Sequence, residues 1–206
     1  MRIAPPAQCW ATSIWPLATA LLPEEHDSRP NTVGRPVLHV MSRVVDTAMN
    51  DCKPGEHGEI VHRSPQLLRE YWDKPAETTE VFAGEWFHSG DIGYMDERGY
   101  FKIVDRKKDM ILVSGFNVYP NEVEEVASSC PGVLECAAIG IPDAEAGEAV
   151  KLVVVKKDPA LTETQVREHC KDKLTGYKHP RTVEFRDELP KTPVGKILRR
   201  ELRQPA

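Results

Sequence analysis

The chain has 206 residues, with 27 Lys and Arg against 32 Asp and Glu, a net charge of −5 and 40% hydrophobic residues. This ordinary globular composition indicates one or two folded domains, and the acidic balance argues against a general nucleic-acid binder. Five cysteines, an odd number without a Cys-x-x-Cys pair, are typical of reduced thiols rather than of a disulfide framework or a metal site.

Residues 1–32 are predicted to form a disordered leader. The apolar run 9–22 follows Met1 and Arg2 and loosely fits a signal peptide, but it is too short for a membrane span and contains Pro16. Residues 24–31 combine acidic side chains with Pro30, a composition typical of a linker. A cleaved signal peptide is the open alternative for this segment.

The following part of the chain, to residue 106, is predicted to be β-rich. Strand-like composition occupies residues 37–46, 59–64, 86–89, 93–95 and 100–104. Residues 65–72 and 75–82 are predicted as short helical pieces, the second with Pro75 in its first turn. Tyr71 and Trp72 are expected to be core or interface aromatics.

Residues 107–203 are predicted to form a small α+β domain. Pro120 at a first helical position predicts a helix over 120–129, and the capping box from Thr162 to Gln165 predicts a second helix to about residue 174. Strands are expected at 110–113, 133–141, 149–157 and 182–186, with a short basic helix at 197–202. Two helices packed on a small sheet give an α+β fold.

The stretch 84–108 is the most informative part of the sequence. It places Asp91 behind a Ser-Gly turn, and Arg106 follows after a predicted hairpin. Ionised Asp only accepts hydrogen bonds, so its two oxygens suit a pair of vicinal hydroxyls such as those of a ribose. Arg106 supplies donors and positive charge for the same polar ligand. From the residues alone, a plain turn is the commoner explanation.

A second candidate is Lys196, which follows Gly195 in a loop that contains proline and glycine. Such a loop can carry an ammonium group into a cleft. The alternative is one more solvated cation of a basic segment that also contains Lys191, Arg199 and Arg200.

Three motifs together resemble the acyl-adenylate-forming enzymes. The stretch 84–108 resembles their fatty acyl-CoA synthetase motif, 109–123 the segment after their hinge, and 189–202 their C-terminal lysine loop. The similarity covers residues 33–203 and is closest to bacterial long-chain-fatty-acid–CoA ligases. The family's phosphate loop is not found, so the chain resembles the C-terminal part of a ligase, with 33–106 from the large domain and 107–203 as the small domain.

The resemblance implies a role for five residues. Lys196 matches the catalytic lysine of adenylation, and Asp91 with Arg106 matches the pair that binds the AMP ribose. Lys108 matches the hinge at which the small domain rotates between two half-reactions, with a charged hairpin end as the alternative. Gly115 matches the segment that lines the CoA pantetheine tunnel, with a plain turn glycine as the alternative.

The resemblance also implies ATP, CoA and a fatty acid as ligands, with Mg²⁺ bound through ATP and no metal ligand in this chain. His88 is expected to be structural, because adenylation of a carboxylate needs no protein base. We expect the protein to be cytoplasmic, with peripheral contact at the inner membrane face as an alternative. We also expect the chain to be inactive alone. Three alternative identities stay open: half of a split ligase with a separate N-terminal adenylation chain, a non-catalytic binding module, or a truncated remnant. Another carboxylic acid also stays open as the substrate.

Overall fold

The computed structural model describes residues 8–12 and 15–203. The chain divides into two compact units, residues 1–107 and 108–206, a division one residue after the predicted domain boundary. Within the described residues, no helix is long and apolar enough to cross a membrane.

The described part of the first unit contains two antiparallel sheets. The smaller sheet has the order β1-β2-β3 and consists of β1 (Gln8–Thr12), β2 (Trp15–Leu21) and β3 (Arg35–Pro36). The larger sheet has the order β4-β5-β7-β6, with β8 also paired to β7. Its strands are β4 (Met41–Val45), β5 (Gly58–Arg63), β6 (Phe82–Ala83), β7 (Trp86–Met95) and β8 (Phe101–Arg106); helix α1 (Pro75–Glu80) precedes β6.

The predicted disordered leader is wrong for the described residues before residue 32. Strand β2 pairs with both β1 and β3, and its residues Ala18, Thr19 and Leu21 are buried. The Thr19 hydroxyl donates to the carbonyl of Val33 at 2.6 Å. The consecutive residues Ala18 and Thr19 point to opposite faces of β2 and both are buried, so an apolar run is favoured there, which explains why this segment resembles a leader in sequence.

The predicted linker at 24–31 is also held in place. The guanidinium of Arg29 forms a 2.8 Å ion pair with Asp96 and lies 3.8 Å from the ring centroid of Tyr100. The hydroxyl of Tyr100 donates to the carboxylate of Glu25. These contacts join the segment to the turn between β7 and β8. The partners are far apart in sequence, so local composition does not predict the contacts.

Residues 65–72 form turns and not the predicted helical piece. The Ser64 hydroxyl accepts the amide N–H of Gln66 at 3.2 Å, a local side-chain contact that competes with helix formation. Trp72 is 92% exposed, so it is not a core aromatic of this chain, and its role as an interface aromatic stays a prediction. Helix α1 begins at Pro75 as predicted.

The second unit is a five-stranded sheet with helices, and the α+β prediction is confirmed. The sheet has the order β10-β9-β12-β11, with β13 parallel to β12. The elements are β9 (Ile111–Val113), β10 (Phe116–Val118), α2 (Pro120–Ser128), β11 (Val133–Asp143), β12 (Gly147–Lys156), α3 (Glu163–Lys173), β13 (Thr182–Arg186) and α4 (Arg199–Leu202). Thr162 caps α3 and accepts the amide N–H of Gln165, as the capping box predicts.

The central strands of this sheet are buried on both faces. Val150, Leu152 and Val154 of β12 pack in a core with α2 and α3. The alternate residues Val153 and Val155 pack in a second cluster with residues of the C-terminal segment, Leu189, Ile197 and Leu202. The C-terminal segment thus forms a third layer, and the loop that contains Lys196 is attached to that layer.

Candidate functional site

Asp91 and Arg106 lie directly opposite each other on β7 and β8. The Nε atom of Arg106 is 2.8 Å from Oδ1 of Asp91. The amide N–H of Asp91 donates to the hydroxyl of Ser89 at 3.0 Å, and that hydroxyl donates to the carbonyl of Ile60 at 2.6 Å. The Asp91 side chain is 3% exposed and that of Arg106 is 50% exposed, so the arginine is the partner with room to move.

Asp91 lies in a bulge of β7. Glu59 pairs with Ile92 and Val61 pairs with His88, so residues 89–91 of β7 stand opposite the single residue between them on β5. Gly90 adopts a φ of +71°, which a residue with a side chain rarely adopts and which lets the strand turn before Asp91. Bulges re-aim side chains, and this one accounts for the position of a carboxylate in mid-strand.

Glu59 is a functional candidate that sequence analysis missed. Its carboxylate accepts the amide N–H of Gly90 at 3.2 Å, and it lies 2.8 Å from both Nδ1 of His88 and Nζ of Lys107. Burial raises the pKa of this carboxyl, but hydrogen bonds from Lys107 and His88 outweigh burial and hold the pKa below its usual value. An ionised Glu59 therefore ties the turn before Asp91 to the last residue of the first unit.

The predicted hinge residue Lys108 lies in a single 3-10 turn, Lys107–Asp109, and its side chain is exposed. The side chain of Lys107 is bonded within the first unit, to Glu59. The main-chain carbonyl of Lys108 is bonded within the second unit, where it accepts from the guanidinium of Arg203 at 3.3 Å. The division between the units falls between these two lysines.

Gly115 lies in the two-residue turn between β9 and β10. Ser114 and Gly115 have consecutive positive φ values of +50° and +84°, the pattern of a type I′ hairpin turn. A Cβ atom added to Gly115 would meet no atom within 4 Å. The backbone conformation, and not crowding within this chain, therefore favours glycine here.

Lys196 is exposed in a tight loop with a firm base. The amide N–H of Gly195 donates to the carbonyl of Thr192 at 2.8 Å, and the amide N–H of Lys196 donates to the hydroxyl of Thr192 at 3.1 Å. Gly195 has a φ of +83°, which the turn requires. Ile197, which follows the turn, packs on the sheet, so the exposed lysine is followed directly by an apolar residue that is anchored to the sheet.

Of the predicted site residues, Asp91 and Arg106 are joined by a contact in the first unit. Lys108, Gly115 and Lys196 belong to three segments of the second unit: the boundary turn, the β9–β10 turn and the loop before α4. In the described part of the chain, no three His, Cys, Asp or Glu side chains group as ligands of a metal ion would.

Residues 8–72 match the family model of the AMP-binding enzymes, and residues 122–196 match that of the AMP-binding enzyme C-terminal domain. The match begins at residue 8 and not at residue 33, which corrects the predicted start of the similarity.

A long-chain-fatty-acid–CoA ligase of Escherichia coli O157:H7 is 54% identical over 184 residues, which are 89% of this chain and 33% of that protein. A feruloyl-CoA synthase of Amycolatopsis is 43% identical over 174 residues, 84% of this chain and 35% of that protein. The fold is similar to o-succinylbenzoate CoA synthetase of Bacillus subtilis in complex with an acyl-adenylate intermediate, with a TM-score of 0.86 and 28% identity over 97% of this chain and 41% of that one. The chain spans about a third of the length of the curated relatives it matches.

Proposed function

Because the chain belongs to the AMP-binding enzymes and carries their C-terminal domain, we propose that it is the C-terminal part of an AMP-forming long-chain-fatty-acid–CoA ligase. In that reaction the fatty acid carboxylate attacks the α-phosphate of ATP and releases pyrophosphate. The thiol of CoA then takes the acyl group and releases AMP. The observation that carries the proposal is the Asp91–Arg106 pair on the bulge of β7.

The geometry of this pair supports ribose binding. The carboxylate of Asp91 has two acceptor oxygens, and a vicinal diol offers two hydroxyl donors. Arg106 engages Oδ1 from a half-exposed position, so it can shift toward a ligand without loss of a packed side chain. The Glu59 and Ser89 contacts hold the bulge in place, which keeps the carboxylate preorganised for the nucleotide.

Lys196 is proposed to stabilise the negative charge that develops around phosphorus in the first half-reaction. An exposed ammonium on a glycine turn with an apolar base can reach into a cleft while its backbone stays fixed. Lys108 is proposed as the hinge, because the side chain of Lys107 is bonded within the first unit and the main-chain carbonyl of Lys108 within the second, which leaves the link between them to absorb a rotation. Gly115 is proposed to approach the pantetheine of CoA, since a Cβ atom at this position would meet no atom of the described residues within 4 Å apart from its chain neighbours.

The acid is proposed to be a long-chain fatty acid, by similarity to the ligase with 54% identity. ATP with Mg²⁺ and CoA are the other proposed ligands, and a separate N-terminal adenylation chain is a proposed partner. A cytoplasmic location at the inner face of the membrane, where fatty acids partition, belongs to the same proposal.

The proposal is tested by mixing this chain with the N-terminal two-thirds of a related ligase. Lys196→Ala should slow ATP–pyrophosphate exchange about a hundredfold or more, since loss of one preorganised charge costs ~2.7–4 kcal/mol. It should spare thioester formation from preformed oleoyl-AMP. The matched control is Lys191→Ala, which removes a lysine of the same loop that is paired to Glu135. Equal losses in both half-reactions would show that Lys196 is structural.

Lys108→Pro should have the opposite effect, because a fixed φ at the hinge hampers rotation into the thioester-forming arrangement. The chain without an N-terminal partner should give no exchange. Robust exchange by the 206-residue chain alone would contradict the proposal that substrate positioning needs the rest of the large domain.

A further inference from the structure

Arg199, the first residue of α4, lies at the centre of a cluster of polar side chains in the second unit. Its Nε and Nη2 atoms donate to the two carboxylate oxygens of Glu124 on α2, at 2.9 and 2.6 Å. Nη2 also donates to Oδ1 of Asn121 at 2.6 Å. The side chains of Arg199 and Glu124 are each 16% exposed, so the pair is largely shielded from water. Two-pronged contacts of this kind are strong and geometrically specific.

The same cluster reaches the first residues of the second unit. Nη1 of Arg199 lies 3.6 Å from a carboxylate oxygen of Asp109. One turn later, Arg203 donates to the main-chain carbonyls of Lys108 and Asp109, both at 3.3 Å. Helix α4 therefore contacts α2 and the proposed hinge segment at once.

Arg199 is also close in sequence to Lys196. Between them, the amide N–H of Leu198 donates to the carbonyl of Pro190 at 2.8 Å, and Ile197 pairs with Lys191 across the base of the loop. These contacts make the end of the loop continuous with the start of α4. A side chain that fixes α4 therefore fixes the base of the Lys196 loop.

We propose that Arg199 is a positioning residue that, together with Arg203, ties the Lys196 loop to residues 108–109, so that the loop and the start of the second unit move as one piece. The catalytic meaning of this tie rests on the proposed function, whereas the tie itself does not. The tie confines the rotation to the link before Lys108 and prevents the loop from moving independently of the second unit. Lysine cannot replace Arg199 fully, because an ammonium lacks the planar fork that spans both oxygens of Glu124.

The test uses hydrogen exchange on the full 206-residue chain. The amides of Gly195 and Leu198 report on the loop, and the amide of Val153 on the sheet. Arg199→Gln should speed exchange of the two loop amides about tenfold or more and leave Val153 unchanged, because loss of a charge-assisted contact opens the local segment. The matched control is Arg200→Gln, which removes a neighbouring exposed arginine.

Two further variants keep the proposal falsifiable if Arg199→Gln fails to fold. Arg199→Lys should give loop exchange between wild type and Arg199→Gln, and should speed trypsin cleavage after Lys108. In Glu124→Gln, the NMR signal of the Arg199 Nε–H should lose its protection from exchange with water.

Loop exchange in the Arg199 variants that matches the Arg200→Gln control would overturn the proposal. An equal increase at Val153 would also overturn it, since Arg199 would then only support the unit as a whole. Because these readouts need no ligase activity, a failed Lys196→Ala test leaves this inference unaffected. Likewise, a failure of this inference leaves the proposed role of Lys196 unaffected.

Discussion

A fall in pH is expected to destabilise the first unit through His62. This side chain on β5 is fully buried, and its Nδ1 lies 2.8 Å from the hydroxyl of Ser42. Burial lowers the pKa of His62 from 6.5 to about 4, because the charged imidazolium is costly away from water. The unfolded chain therefore takes up a proton below pH 6.5 while the folded chain does not until about pH 4. Since the unfolded state binds more protons in this window, stability falls as pH falls.

The magnitude follows from the two pKa values. Once the pH is below both, the loss reaches about 3.4 kcal/mol, and about 2 kcal/mol of it has occurred by pH 5. This loss in the free energy of unfolding is measured by urea unfolding, followed by tryptophan fluorescence, at pH 7.5, 6 and 5. The four tryptophans, at positions 10, 15, 72 and 86, all belong to the first unit, so the signal reports on the unit that contains His62.

The variant His62→Gln should be less stable at pH 7.5 and should lose about 2 kcal/mol less than wild type between pH 7.5 and 5. The control is His39→Asn, which removes an exposed histidine with a φ of +65°, a conformation that asparagine tolerates. If His62→Gln shows the same pH slope as wild type, the buried neutral imidazole is not the cause and the reasoning fails.

Gly34→Ala should destabilise the first unit by more than about 3 kcal/mol in the same urea assay, because the added methyl would lie 1.9 Å from a carbonyl oxygen of β2 at a φ of +87°. In the control Gly99→Ala the methyl would meet no atom of the described residues within 4 Å, so this change should cost less although its φ is also positive. Equal losses of stability in the two variants would contradict this reasoning. Thr162→Ala should lower the stability of α3 by about 1 kcal/mol through loss of its cap, seen as faster amide exchange in the first turn; unchanged exchange there would contradict it. Iodoacetamide should alkylate the partly exposed Cys52 well before Cys136, because burial raises the pKa of Cys136 to about 11; equal rates in the folded chain would contradict this.

Local sequence signals predicted much of the second unit. The capping box at Thr162 and the proline at 120 placed α3 and α2 within a residue or two, and the continuous apolar runs placed β11 and β12. These signals succeed because each depends on residues a few positions apart. The hairpin glycine Gly115 was found by resemblance, and its turn type follows from two adjacent φ values.

The parts that sequence analysis missed depend on distant residues. Glu59 lies in a short run that was predicted only as a strand, yet residues 59–62 are all buried, so both faces of β5 are covered by residues that are distant in sequence. Arg199 reads as one cation of a basic segment, and its partner Glu124 is 75 residues away. The Asp91–Arg106 pair was recognised as a motif, but the bulge that positions it requires knowledge of strand register.

The covering of the sheet in the second unit has a consequence for biosynthesis. Residues Ala137, Ile139, Val153 and Val155 form an apolar face that is closed by Leu189, Ile197 and Leu202. Strand β12 ends at Lys156, and Leu202, the last of the covering residues, is synthesised 46 residues later, a delay of about 2–9 s at ~5–20 residues per second. During that interval the nascent chain displays an uncovered hydrophobic sheet. The segment that carries Lys196 thus also covers the apolar face of the nascent chain, which until then can aggregate or bind chaperones.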